Sequence, residues 1–99
     1  MDPIKVYLDD LRVAPEGWIR VKTASEAIVL LQQGNVVEIS LDHDLGDEEN
    51  GTGYDVILWM EEKAFLEKFK CPRIHIHTAN ISAREKMEKG VSKIRSASL

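Results

Sequence analysis

Two acidic segments of this chain have the composition to bind a hard cation or a phosphate. In the first, Asp9 and Asp10 follow the alternating stretch from Ile4 to Leu8. In the second, Ile39-Ser40-Leu41 runs straight into Asp42-His43-Asp44, with Leu45 and the turn-forming Gly46 behind it. Open α/β sheets place their chemistry where the strands leave the core, at their carboxyl ends. Carboxylates that converge there repel one another unless a cation or protons relieve them. Asp9, Asp10 and Asp42 are therefore expected to hold a divalent ion such as Mg²⁺ (or Mn²⁺), with Asp44 as a further ligand or an outer contact. Each of these residues can instead cap a turn, as Asp often does. That two separate strands end this way favours the metal.

Asp42, His43 and His77 are the candidate catalytic groups. His43 lies between two aspartates and can act as general acid or base near neutral pH. It can equally point away from Asp42, because neighbouring strand residues alternate. His75 and His77 share one strand face, a spacing that can also bind a transition metal. His75 is expected to be solvent-exposed filler, and His77, nearer the strand end, is the better candidate. Arg12, Thr78 and Asn80 are the candidate substrate-binding groups. Arg12 can clamp a phosphate bidentately or neutralise Asp9 or Asp10, and the sequence does not separate the two. Thr78 and Asn80 can hold phosphate oxygens or cap the last helix, and both roles are compatible at a helix N-terminus.

Positioning these groups takes four strands and three helices. Ile4 to Leu8 and Trp18 to Lys22 alternate as strands, and the segment between them is broken by Pro15 and Gly17. Thr23 with Glu26 has a capping-box pattern and opens a helix through Ala24, Ala27, Ile28, Leu30 and Leu31 that stops near Gly34. Val36 to Leu41 is a strand with Val37, Ile39 and Leu41 opposed to Glu38 and Ser40. The acidic, glycine-rich stretch from Asp42 to Gly53 reads as a mobile rim rather than an element, with Asp47-Glu48-Glu49 as solvated surface. Tyr54 to about Phe69 is the longest helical candidate, and Trp59, Met60 and Phe65 are expected in its core face. Ile74 to Thr78 is a fourth strand. Asn80 or Ser82 can cap a last helix bearing Ala83, Met87, Val91 and Ile94, weakened in its middle by Gly90. The tail from Ser96 to Leu99 carries no signal.

This order calls for an α/β domain with a parallel sheet. Strands covered on both faces read as nearly continuous apolar runs. Here Lys5 and Tyr7, Arg20 and Lys22, Glu38 and Ser40, and His75 and His77 all fall on polar parities. The economical solution is two layers, with helices on one face and the other open to water or to a second subunit. Trp18 and Tyr7, expected to be exposed on that face, make a homodimer the natural partner arrangement.

The 99 residues form one domain, and 17 acidic against 13 basic side chains give a formal charge of -4. No basic stripe offers a broad nucleic-acid surface, which leaves a single nucleotide or an RNA end. Cys71 is alone, so a reducing compartment fits best. The N-terminus lacks the features of a signal peptide, and no apolar run is long enough to cross a membrane. A cytoplasmic location without membrane contact is the expectation.

Several landmarks resemble a receiver domain, the phospho-acceptor module of two-component signalling. Leu8-Asp9-Asp10 matches its acidic pair, Asp42 the acceptor aspartate, Gly53 the glycine before the next helix and Thr78-Ala79 its hydroxyl-and-small dipeptide. The closer resemblance is to the cyclic-phosphate processing receiver domain family. It is carried along almost the whole chain by Leu8-Asp9-Asp10-Leu11-Arg12 with Pro15, Trp18 and Ala27, by Ile39 to Gly46, by Thr52-Gly53-Tyr54-Asp55 and by Ile76-His77-Thr78-Ala79-Asn80. The resemblance implies a truncated receiver (flavodoxin-like) fold, a four-stranded parallel sheet of order 2-1-3-4 with about three helices mainly on one face. It also implies action on a cyclic phosphate of a nucleotide or RNA end, which with the metal expected on the carboxylates reads as a metal-dependent phosphodiesterase or a binder. Compared with signalling receivers, there is no helix between the first two strands, and no fifth strand follows Ile94 to carry the phosphoryl-sensing lysine. Those departures count against phospho-acceptor signalling. The remaining alternative is a non-catalytic receiver-like interaction or dimerisation module.

Overall fold

The computed structural model describes residues 2–97. Its elements are β1 (Ile4–Leu8), β2 (Ile19–Val21), α1 (Ala24–Gln32), β3 (Val36–Leu41), α2 (Gly53–Glu67), β4 (Arg73–Ile76) and α3 (Ile81–Ala97). The strands form one sheet in the order β2-β1-β3-β4, and every neighbouring pair is parallel. The fold is the truncated receiver architecture that the resemblance implies, with the helices on one sheet face as the alternation predicts. No described helix is long and apolar enough to cross a membrane.

Alternation decides which face is covered. Val6, Leu8, Val21, Ile39, Leu41 and Ile74 point into one cluster with Leu31 of α1, Met60 of α2 and Met87 of α3. All three helices thus share that face, and each fully buried aliphatic side chain contributes about 1.5–3 kcal/mol. The opposite face carries Lys5, Tyr7, Ser40, His75 and His77.

Four expectations need correction. Val37 was expected inward, yet it is 46% exposed while Val36 is buried. Ile4 pairs with Val36 and Lys5 with Glu38, so Val37 is an extra residue in β3, and a bulge shifts the alternation by one. Phe65, expected in the core, is 60% exposed, whereas Met60 on the adjacent face is fully buried. Trp59 is half-buried, its ring edge-on to Phe69 at 5.4 Å.

The third correction concerns Tyr7 and Trp18, which are only partly exposed. The Trp18 indole packs edge-on against both Tyr7 and His75, each at 6.3 Å between ring centres. Since His75 lies on the far edge strand, Trp18 extends across the open face rather than away from it. The fourth is the acidic rim, which has structure of its own. Leu45 is buried in the core, Glu48–Asn50 form a short 3₁₀ turn, and Asp44 bridges to Thr52. Asn50 Nδ2 donates to the Leu45 carbonyl at 2.9 Å.

Helix starts follow local chemistry. Thr23 accepts from the Glu26 N–H, as expected, although Glu26 returns the contact to the Thr23 hydroxyl. The complete capping box belongs to Thr52 and Asp55 at the start of α2. There Gly53 is required, because a Cβ would collide with the Asp42 carbonyl. The start of α2 is thereby seated directly on the end of β3.

Candidate functional site

The ladder itself places the site. Asp9, Asp42 and His77 are the first residues beyond β1, the end of β3 and β4's last turn of pairing, and each still donates its backbone N–H to a neighbouring strand. Asp9 bonds the Val21 carbonyl at 3.0 Å, Asp42 that of Leu8 at 3.0 Å, and His77 that of Leu41 at 2.9 Å. Three functional groups are thus fixed side by side on the rigid carboxyl edge of the sheet. One ligand atom from each lies within 4.8 Å of the other two.

Asp9 is 1% exposed. Its Oδ1 accepts the N–H groups of Leu11 and Arg12, both at 2.8 Å, and its Oδ2 meets His77 Nε2 at 3.0 Å. Burial is the largest single influence on this carboxyl and pushes its pKa up. The N–H groups of Arg12 and Leu11 together with His77 outweigh it, so the pKa lies below the ordinary 3.8. Asp42 Oδ1 accepts the His43 N–H at 2.8 Å, which leaves Oδ2 without a partner among the described residues.

His77 is held on several sides. Its Nδ1 is 2.7 Å from Ser40 Oγ, and its ring stacks on Tyr7 with 4.3 Å between centres and 1° between planes. Arg12 donates to its carbonyl at 2.9 Å. Burial lowers the His77 pKa below its ordinary 6.5, despite the opposing pull of Asp9 and Asp42. The imidazole is therefore neutral at physiological pH.

The other candidates surround this group. Asp10 has no hydrogen bond among the described residues, and its Oδ2 lies against the Gly46 turn. Asp44 is on the outer rim, where its Oδ1 meets His43 Nδ1 at 2.9 Å and its Oδ2 accepts from Asn80 at 3.4 Å. Those contacts, the His43 bond first, lower its pKa against a smaller effect of desolvation. The cluster of donor atoms thus joins Asp9 and Asp42 with His77, not with Asp10 or Asp44. His43 keeps Nε2 free among the described residues.

Arg12 stands beside Asp9, where a neutralising guanidinium was expected, and also holds a backbone carbonyl. Its Nε stands 3.9 Å from Asp9 Oδ2, and the rest of its guanidinium latches the β1 loop to the end of β4. Thr78 is buried, and its Oγ1 accepts from the Asn80 N–H at 3.2 Å. Asn80 Oδ1 accepts from Ala83 at 3.1 Å, so Asn80, not Ser82, caps α3. His75 is tied to Glu38 at 2.8 Å, well down the strand from the carboxylates.

The sequence profile of the cyclic-phosphate processing receiver domain matches residues 4–93. The chain belongs to that family. No curated protein and no solved structure matches it significantly. Within this receiver domain, the match takes in every strand end that builds the site. Sequence reasoning assigned no role to Ser40 and placed Tyr7 only at an expected subunit contact, although both fell on the polar parity. The available signal was a mid-strand serine one register from a histidine strand, and it needed the strand order to be used.

Proposed function

We propose that this receiver domain holds a divalent cation on Asp9, Asp42 and His77 and uses it to process a cyclic phosphate, opening the ring by hydrolysis. The convergence of two carboxylates and an imidazole within 4.8 Å, in a member of this family, is the observation that carries the reading. Mg²⁺ and Mn²⁺ both suit the carboxylates, and the imidazole nitrogen shifts the balance toward Mn²⁺. A bound cation would supply Lewis-acid stabilisation of the charge that builds on the phosphate oxygens.

The chain's own groups divide the remaining work. Hydrolysis adds water across one ring P–O bond, leaving a phosphate monoester and a free hydroxyl. Arg12, just over half exposed at the mouth, offers guanidinium N–H groups beyond the one that holds the His77 carbonyl. The Thr78 hydroxyl accepts from Asn80 and retains its own proton to donate to a phosphate oxygen. His43, oriented by Asp44 through Nδ1, leaves Nε2 to take a proton from water or return one to the leaving oxygen. His77, with both nitrogens engaged, fits a ligand better than a proton carrier.

Chromatography of 2′,3′- and 3′,5′-cyclic nucleotides incubated with the protein and Mg²⁺ or Mn²⁺ tests this. A ring-opened monoester is expected, and Asp42→Asn should reduce its formation by more than the roughly 10- to 100-fold that loss of a ligand's hydrogen-bond partner costs. Turnover by Asp42→Asn at the wild-type rate, or none by the wild type on any ring, would overturn it.

A further inference from the structure

Ser40 lies in the middle of β3, 7% exposed, in register with Tyr7 on one side and His75 on the other. A buried serine costs stability unless its hydroxyl is bonded. Here the partner is His77 Nδ1 at 2.7 Å, and the imidazole continues to Asp9. Serine, histidine and aspartate in one chain of hydrogen bonds have the composition of a nucleophilic triad. Ser40 is not placed as the nucleophile, because it sits two residues back along β3 from the strand end that carries Asp42, with its hydroxyl already bonded to His77. Its effect must pass through His77.

Tautomers say what that effect is. An ionised Asp9 only accepts, so the neutral imidazole carries its proton on Nε2, and Nδ1 accepts from the Ser40 hydroxyl. A cation beside Asp9 and Asp42 needs the Nε2 lone pair. The proton then resides on Nδ1, and the Ser40 oxygen must accept a hydrogen bond from Nδ1–H. A hydroxyl serves in either direction, and alanine serves in neither. Tyr7, stacked flat on the ring, limits the imidazole to rotation in its own plane.

We propose that Ser40 is the positioning residue of this site: its buried hydroxyl fixes the His77 ring and changes from donor to acceptor when Nε2 turns to a ligand. The inference rests on the assignment of His77 as a cation ligand. Partners of ligating histidines typically control affinity by 10- to 100-fold, which is about the loss to be expected when this one is removed.

Nitrogen-15 NMR of the imidazole side chains, with Zn²⁺ as a diamagnetic probe that accepts imidazole, separates the parts. In the free wild-type protein His77 should carry its proton on Nε2. Ser40→Ala should move the Nδ1 resonance downfield, and Ser40→Thr should restore it. On adding Zn²⁺ the proton should appear on Nδ1, and Ser40→Ala should bind Zn²⁺ at least about tenfold more weakly than wild type. An unmoved Nδ1 resonance in Ser40→Ala would overturn the positioning role. If the wild type binds no Zn²⁺, the cation assignment and the change of roles both fall, while the Nδ1 resonance still decides whether Ser40 orients the ring.

Discussion

Replacing Asp9 by asparagine should destabilise the domain even in metal-free buffer. The carboxylate is 1% exposed and receives two backbone N–H groups at 2.8 Å and His77 Nε2 at 3.0 Å. Hydrogen bonds to a charged acceptor contribute about 1.5–3 kcal/mol against about 1 for a neutral one, so both turn bonds weaken. The new amide also presents either an N–H to His77 Nε2–H or its N–H to the turn, and one donor is left facing another. Relief of the buried charge offsets part of this. The lowered pKa of Asp9 says that the charge is favourable on balance, so a net loss of about 2 kcal/mol is expected. For a domain of this size that lowers Tm by about 10 °C. The sign with pH follows from the same depression. Asp9's contribution is complete above the ordinary value of 3.8 and is lost as the pH falls through the lower folded pKa. Urea denaturation of both proteins at neutral pH and again at about pH 2, in chelator, measures the difference. Equal stability at neutral pH, or a deficit that persists undiminished in acid, would refute the reasoning.

Helix propensity alone says that Gly90→Ala should stabilise α3 by about 1 kcal/mol. The opposite is expected, because the added Cβ would sit 2.5 Å from Ile57 Cγ2 in the core; a lower Tm, recovered in part when Ile57→Leu is combined with it, would establish that contact. Cys71 is part-buried with its Sγ near the carbonyls of Met60 and Phe69, and burial raises its pKa above the ordinary 9.0. Iodoacetamide at mildly alkaline pH should therefore label the native protein several-fold more slowly than the chain in urea, and equal rates would contradict it.

The strand ends were legible because a run of apolar residues interrupted by Asp9 or Asp42 marks both the sheet edge and its chemistry. The open face was legible from Lys5, Tyr7, Ser40 and His75, all on one parity. What was hidden depended on contacts between distant segments. Val37 broke the alternation through a bulge set by its pairing with β1. The order of the acidic rim came from Leu45 in the core and from the Thr52 cap, whereas glycine and acid content alone suggested mobility. Asp9, Asp10 and Asp42 looked equivalent in the sequence, yet only Asp9 and Asp42, whose N–H groups continue the ladder, gather with His77. Asp10, one residue further, turns toward Gly46. Ser40 and His77 are 37 residues apart, and only the strand order brings them together.

The presence of a cation on Asp9, Asp42 and His77 is best tested by electron paramagnetic resonance of Mn²⁺, whose free-ion signal falls as the ion is bound. Titration of the wild-type protein should remove that signal up to a single ion per chain, and Asp42→Asn, folded by circular dichroism, should leave most of it in solution. A signal that tracks added Mn²⁺ as in buffer, or equal uptake by Asp42→Asn, would contradict a metal centre at this edge of the sheet.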